Sequence, residues 1–129
     1  MMPTPPPSPR RRPLVLVAED HDPSFELVRL LCEMEGIAIL RAMTTRAVIA
    51  LARVGRPDLI LMGTGLADGD PARAVRALRG DPSLRRIPIV PAGARGKNGM
   101  TPDRPVNPGR LLELLRFRFG HRRRLRRCL

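Results

Sequence analysis

The chain has two cysteines, two histidines, one lysine and no apolar run approaching the length of a membrane-spanning helix. Each shortage excludes something. A bilayer-crossing helix needs about twenty apolar residues, and a secretion signal needs a charged-then-apolar start. With neither in the sequence, the expected location is cytoplasmic. Cys32 and Cys128 stand far apart in number and setting, which argues against a disulfide framework or a cysteine metal cluster. His21 and His121 have no companions for catalysis or metal binding and read as surface residues. What is there, 129 residues of which 43% are hydrophobic, suits one ordinary domain with tails.

The formal net charge of +12 has the size of a nucleic-acid binder's, but most of it lies at the ends. Residues 1–13 carry Arg10, Arg11 and Arg12 and no acid. Residues 114–129 carry Arg116, Arg118, Arg122, Arg123, Arg124, Arg126 and Arg127 and no acid. Between them, residues 14–113 hold all 12 acids against 13 arginines and Lys97, so the body is nearly neutral. A basic complement of 23 arginines to one lysine fits GC-rich coding as well as selection for guanidinium chemistry.

Residues 1–13, with six prolines, favour extended polyproline conformations and cannot pack a core. Pro3-Thr4-Pro5-Pro6 fits a PxxP ligand pattern, but a solvated, disordered leader accounts for the composition. From Leu14 the pattern becomes regular. Leu14 to Ala18 is a short continuous apolar run, the mark of a strand buried on both faces. Glu19 and Asp20 follow, then Asp22 as a helix cap with Pro23 behind it. Phe25, Val28, Leu31 and Met34 recur at helical spacing until Gly36. Ile37 to Ala42 reads as a second strand. Thr44 or Thr45 can cap a helix over Ala47 to Val54, ended by Gly55-Arg56-Pro57.

Leu59 to Met62 makes a third strand, Gly63 to Asp70 a glycine- and aspartate-rich loop, Pro71 to Arg79 a helix closed by Gly80, and Ile87 to Val90 a fourth strand. Asn107 caps a last helix begun by Pro108 and lined by Leu111, Leu112, Leu114 and Leu115. Strands alternating with helices at this spacing imply a parallel sheet covered on both sides. Residues 91–105 lack a helical apolar period, so a helix is missing or shortened there. A fifth strand near Met100 to Arg104 must be short and is weakened by Pro102.

LVLVAED before a proline-started helix, RPDLILM before GLADGDP, LRGDPSLRRIPIV, and RPVNPGRLLELL near the end occur in that order. Together they make residues 14–120 resemble the receiver domain of two-component response regulators, with residues 121–129 a basic tail. The resemblance implies a doubly wound, flavodoxin-like (CheY-like) α/β fold with a parallel five-stranded sheet ordered 2-1-3-4-5, and ligands at the carboxyl ends of the strands. It also implies a chemistry: phosphoryl transfer onto an aspartate after the third strand, with a divalent metal on an acid pair and a hydroxyl and an ammonium on the phosphoryl oxygens.

Glu19 and Asp20 fall on the family's metal positions. The acceptor position is Gly63, which has no nucleophile; the switch-hydroxyl position is Gly93; the lysine position is Arg104, which keeps charge but changes shape. Thr64, Asp68 and Asp70 lie close by, but in-line attack tolerates little misplacement, and Asp68-Gly69-Asp70 reads as a polar turn before a helix. Mg²⁺ on two carboxylates alone is expected to bind weakly, so no cofactor is expected. Arg104 either fills the vacated metal space against Glu19 or Asp20, or points to solvent.

Gly63-Thr64-Gly65 is no dinucleotide loop, because the next helix opens too late to meet a pyrophosphate. The stretch from Arg116 to Arg127 could bind nucleic acid or an anionic bilayer, with Phe117 and Phe119 stacking, inserting or simply finishing the last helix. The sequence therefore suggests a stand-alone, non-enzymatic receiver-like signalling module, not phosphorylated at the usual place. It would bind a protein such as a sensor kinase through the first-helix and last-helix faces, and no DNA-reading domain is expected past Gly120. A basic adaptor acting through its arginine tail, and a response regulator using a non-standard acceptor, are the alternatives.

Overall fold

The computed structural model of the chain describes residues 12–63, 65–95 and 102–128. Strand β1 (Leu14–Ala18) is flanked by β2 (Ala38–Ala42) and β3 (Leu59–Met62), and β4 (Ile89–Pro91) lies beyond β3. All three pairings are parallel, with Val17 opposite both Arg41 and Leu61. Parallel neighbours on both sides bury a central strand completely, which is why β1 and β3 are uninterrupted apolar runs. The Asp58 carboxylate accepts the Leu14 amide at 2.9 Å and pins the start of β1 to β3.

The pleat divides these runs between two cores. Val15, Val17, Leu59 and Leu61 face helices α1 (Asp22–Met34) and α4 (Pro108–Cys128), meeting Phe25, Val28, Leu111, Leu115 and Phe119. Leu16, Ala18, Ile60 and Met62 face helices α2 (Thr45–Gly55) and α3 (Pro71–Gly80), meeting Val48, Ala52, Ala74, Val75 and Leu78. The result is a three-layer α/β/α unit.

Local chemistry sets the helix ends. Thr44 Oγ1 accepts the Ala47 amide at 3.0 Å, an Asp70 oxygen accepts the Ala72 amide at 2.9 Å, and Asn107 Oδ1 accepts the Arg110 amide at 3.1 Å. The cap of α1 differs from the expectation: it is His21, whose Nδ1 accepts the Ser24 amide at 3.3 Å, while Asp22 opens the helix and turns to Arg41. Gly36, at φ +72°, lets the Ile37 amide return to the Cys32 carbonyl and so closes α1.

Two further departures lie at the C-terminal edge. Among the described residues the expected fifth strand does not join the sheet, which has four strands in the order β2-β1-β3-β4. Instead β6 (Pro102–Val106) pairs antiparallel with β5 (Gly93–Arg95) as a separate two-stranded ribbon. Pro102 and Pro105 each remove a ladder donor, which disfavours a sheet position and suits a short ribbon. Among the described residues no helix lies between β4 and α4. Helix α4 also runs through Gly120 to Cys128. The leader through residue 11 lies outside the described residues.

Candidate functional site

The carboxyl ends of β1 and β3 meet where a parallel sheet offers its ligand crevice. The chain leaving β1 stays paired: the Glu19 amide donates to the Ala42 carbonyl at 3.0 Å, and the Asp20 amide to the Gly65 carbonyl at 3.2 Å. On the other strand the Gly63 amide donates to the Ala18 carbonyl at 2.7 Å. These bonds set Glu19, Asp20, Gly63 and Gly65 side by side.

Glu19 is buried, with 1% of its surface accessible, and its Oε2 accepts the His21 amide at 3.3 Å. Its other oxygen points at β3. A Cβ placed on Gly63 would lie 2.5 Å from Glu19 Oε1, 2.6 Å from Cδ and 2.8 Å from the Ala18 carbonyl oxygen. The Glu19 carboxylate therefore occupies the space in which a side chain at 63 would begin. A Cβ on Gly65 would likewise sit 3.3 Å from Asp20 Oδ1. The acid pair fills the room that two glycines leave open.

A residue without a role in the sequence reading completes this corner. Arg41, the one charged residue of β2, sends Nε to the Glu19 backbone oxygen at 3.1 Å and a terminal nitrogen to Asp22 at 2.7 Å. Its guanidinium lies 4.3 Å from the centre of the Phe25 ring. Arginine inside an apolar strand run was the available signal. It ties β2, the loop after β1 and α1 together beside the acid pair.

The family's divalent metal does not suit this arrangement. Mg²⁺ demands octahedral oxygen ligation, whereas one of the two acids is buried against Gly63. Among the described residues no group of three or more His, Cys, Asp or Glu converges as a metal site. Asp68 and Asp70 serve the fold: Asp68 Oδ1 accepts the Thr45 amide at 2.8 Å, which holds its carboxyl below the usual range, and Asp70 caps α3. Gly93 falls in β5. Thr64 and the side chain of Arg104 lie outside the described residues.

Of the arginines assigned to an anion-binding stretch, Arg116 pairs through Nε with Glu35 at 3.4 Å, joining α4 to the end of α1, and Arg118 is exposed. The side chains of Arg122, Arg123, Arg124, Arg126 and Arg127, and of His121, lie outside the described residues. The two phenylalanines part company: Phe119 is buried in the α1–α4 core, and Phe117 is 86% exposed. Cys32 is buried, and burial pushes its thiol up to about 12, which makes it inert. No described helix is long and apolar enough to cross a membrane.

No family model matches the chain. The polar-differentiation response regulator DivK of Brucella anthropi is 33% identical over 85 residues, covering 66% of this chain and 69% of DivK. This chain belongs to the response regulator receiver family. Solved structures share its fold at lower identity. A response regulator described as putative from Chloroflexus aurantiacus superposes with a TM-score of 0.73 at 16% identity, over 85% of this chain and 99% of that one. The chemotaxis response regulator CheY4 of Vibrio cholerae does so with 0.70 at 19% identity, over 84% and 99%. This receiver is thus a two-component signalling module.

Proposed function

We propose that this receiver signals by binding a protein partner, without phosphorylation at the family's acceptor position. One observation carries the reading. Residue 63 has no side chain, and the space beyond its Cα holds the Glu19 carboxylate. An attacking oxygen is missing, and so is the room for a phosphoryl group to approach one. Glu19 and Asp20 then retain at most a weak affinity for Mg²⁺. The α1–α4 layer is the binding surface, since it exposes Leu30, Met34 and Phe117. A sensor kinase or another signalling protein of the cytoplasm fits this role.

Incubation of the full chain with acetyl phosphate and Mg²⁺, read by intact-mass spectrometry before and after acid treatment, tests the proposal. No acid-labile phosphoryl adduct is the expected result. An acyl phosphate on any residue, including Asp68 or Asp70, overturns it and restores the reading of a response regulator with a non-standard acceptor.

A second reading, a basic adaptor for nucleic acid or anionic membrane, is favoured by the continuation of α4 to Cys128, which extends its arginine-rich end as a helix. Removing residues 121–129 tests it. Salt-sensitive binding that disappears supports it, and binding that persists eliminates it.

A further inference from the structure

The layer formed by α2 and α3 is strongly basic. Helices α2 and α3, with the residues following each, span 45–56 and 71–86 and carry eight arginines against a single acid, Asp81. On the opposite layer, the single arginine of α1, Arg29, is held by Glu26 and Glu33 at 2.9 Å each, and α4 carries eight arginines, most of them toward its C-terminal end.

Several guanidiniums on the basic layer are already engaged. Arg53 pairs with Asp81 at 2.8 Å, and Arg79 donates to the Arg85 and Ile87 carbonyls. Arg46, Arg73, Arg76, Arg85 and Arg86 are exposed and make no ion pair or side-chain hydrogen bond among the described residues. Apart from Val54, the exposed non-arginine positions of these two helices are small: Ala50, Ala77 and Gly80. The surface is positive.

We propose that the α2–α3 layer binds the phosphate backbone of double-stranded nucleic acid. Protein interfaces are anchored by buried aromatic or large apolar groups. Among the described residues of α2 and α3 the only exposed large hydrophobic residue is Val54, with Met43 just ahead of α2, whereas Leu30, Met34 and Phe117 lie on the other layer. A polyanion needs no such anchor, because its affinity comes from counterion release. Residues 45–90 contain no aromatic residue, so bases have nothing to stack on, and a duplex suits the face better than a single strand. Small residues between the arginines let a duplex backbone approach closely. This surface is separate from the acid pair, from the α1–α4 layer and from residues 121–129, and it stands or falls independently of the phosphorylation reading.

The test is fluorescence anisotropy of the full chain with a labelled duplex of arbitrary sequence, across a salt series. The combined variant Arg73→Ala, Arg76→Ala, Arg86→Ala is expected to bind at least about tenfold more weakly, with the slope of log K against log salt reduced by about 0.9 for each arginine removed. The matching Arg→Lys variant is expected to bind within about threefold of the parent, because phosphate contact needs charge more than fork geometry. Circular dichroism checks that both variants fold. Unchanged binding by the alanine variant overturns the proposal. So does loss confined to Arg122→Ala, Arg123→Ala, Arg126→Ala, tighter binding to a single strand of equal length, or capture by phosphatidylglycerol vesicles with no duplex binding.

Discussion

The Glu19 carboxylate and the Cα of Gly63 form a complementary pair across β1 and β3: Oε1 lies 2.5 Å from where a Cβ on residue 63 would stand. The two positions are coupled, and neither can be understood from its own strand.

Gly63→Ala is therefore expected to destabilise the fold by about 1–3 kcal/mol, the usual range for forcing a methyl into a filled site. Combined with Glu19→Ala, the part of that penalty due to the carboxylate disappears, and the part due to the Ala18 carbonyl oxygen, 2.8 Å from the added methyl, remains. Urea unfolding of both single variants and the double variant measures the coupling. Additivity within about 0.3 kcal/mol would show that the two residues do not compete for space. For the same reason, Gly63→Asp alone is expected to remain unphosphorylated by acetyl phosphate.

Arg41 joins three elements through the Glu19 carbonyl, Asp22 and the Phe25 ring. Arg41→Ala is expected to lower stability by about 1–2 kcal/mol, the sum of a charge-assisted hydrogen bond and a cation–π contact. Arg41→Lys should recover only part, because an ammonium cannot reach three partners with a planar fork. Denaturant midpoints with unchanged slopes are the check, and equal stability of the parent and both variants would remove Arg41 from the account.

Much of this was legible in the residues. The apolar runs of β1 and β3 read as buried strands, and Asn107, and Thr44 alongside Thr45, announced their helices because each offers an acceptor where free amides need one, whereas Asp70 read only as part of a polar turn and its capping role emerges from the structure. The cap of α1 was not legible, since His21 and Asp22 both offer acceptors and the choice turns on Arg41, nineteen positions away. The reach of α4 past Gly120 was hidden for another reason. One glycine costs a helix about 1 kcal/mol, which the run of good helix formers around it offsets. Gly63 announced a missing nucleophile, but that Glu19 takes the empty space is a property of two strands in register.

Phe119 and Phe117 are two residues apart on α4 and have opposite surroundings. Phe119→Ala is expected to cost about 3 kcal/mol, in the range for emptying a core aromatic site. Phe117→Ala is expected to fall within about 0.5 kcal/mol of the parent. Thermal unfolding of both variants distinguishes a helix packed through Phe119 from one that is frayed there, for which both values would be small.

Asp81 is held down to about 2 by the Ser83 hydroxyl, and next by Arg53. A carboxyl depressed in the folded state stabilises that state above its ordinary value near 4, and the contribution fades as pH falls toward 2. Asp81→Asn removes that ionisation. The stability difference between parent and variant is expected to be larger at neutral pH than near pH 3, measured by urea midpoints at both, and a constant difference would refute the assignment.

Among the described residues β4 is an outer strand of the sheet, because β6 pairs elsewhere. The Pro88 carbonyl and the Ala92 amide turn inward to β3, so the alternate positions, Ile89 and Pro91, face away from it. Pro91 has no amide hydrogen to give, which leaves this margin three residues long and short of a donor. A stray strand from another molecule finds little to zip onto, and a sheet that stops early is thereby protected from growing by accretion.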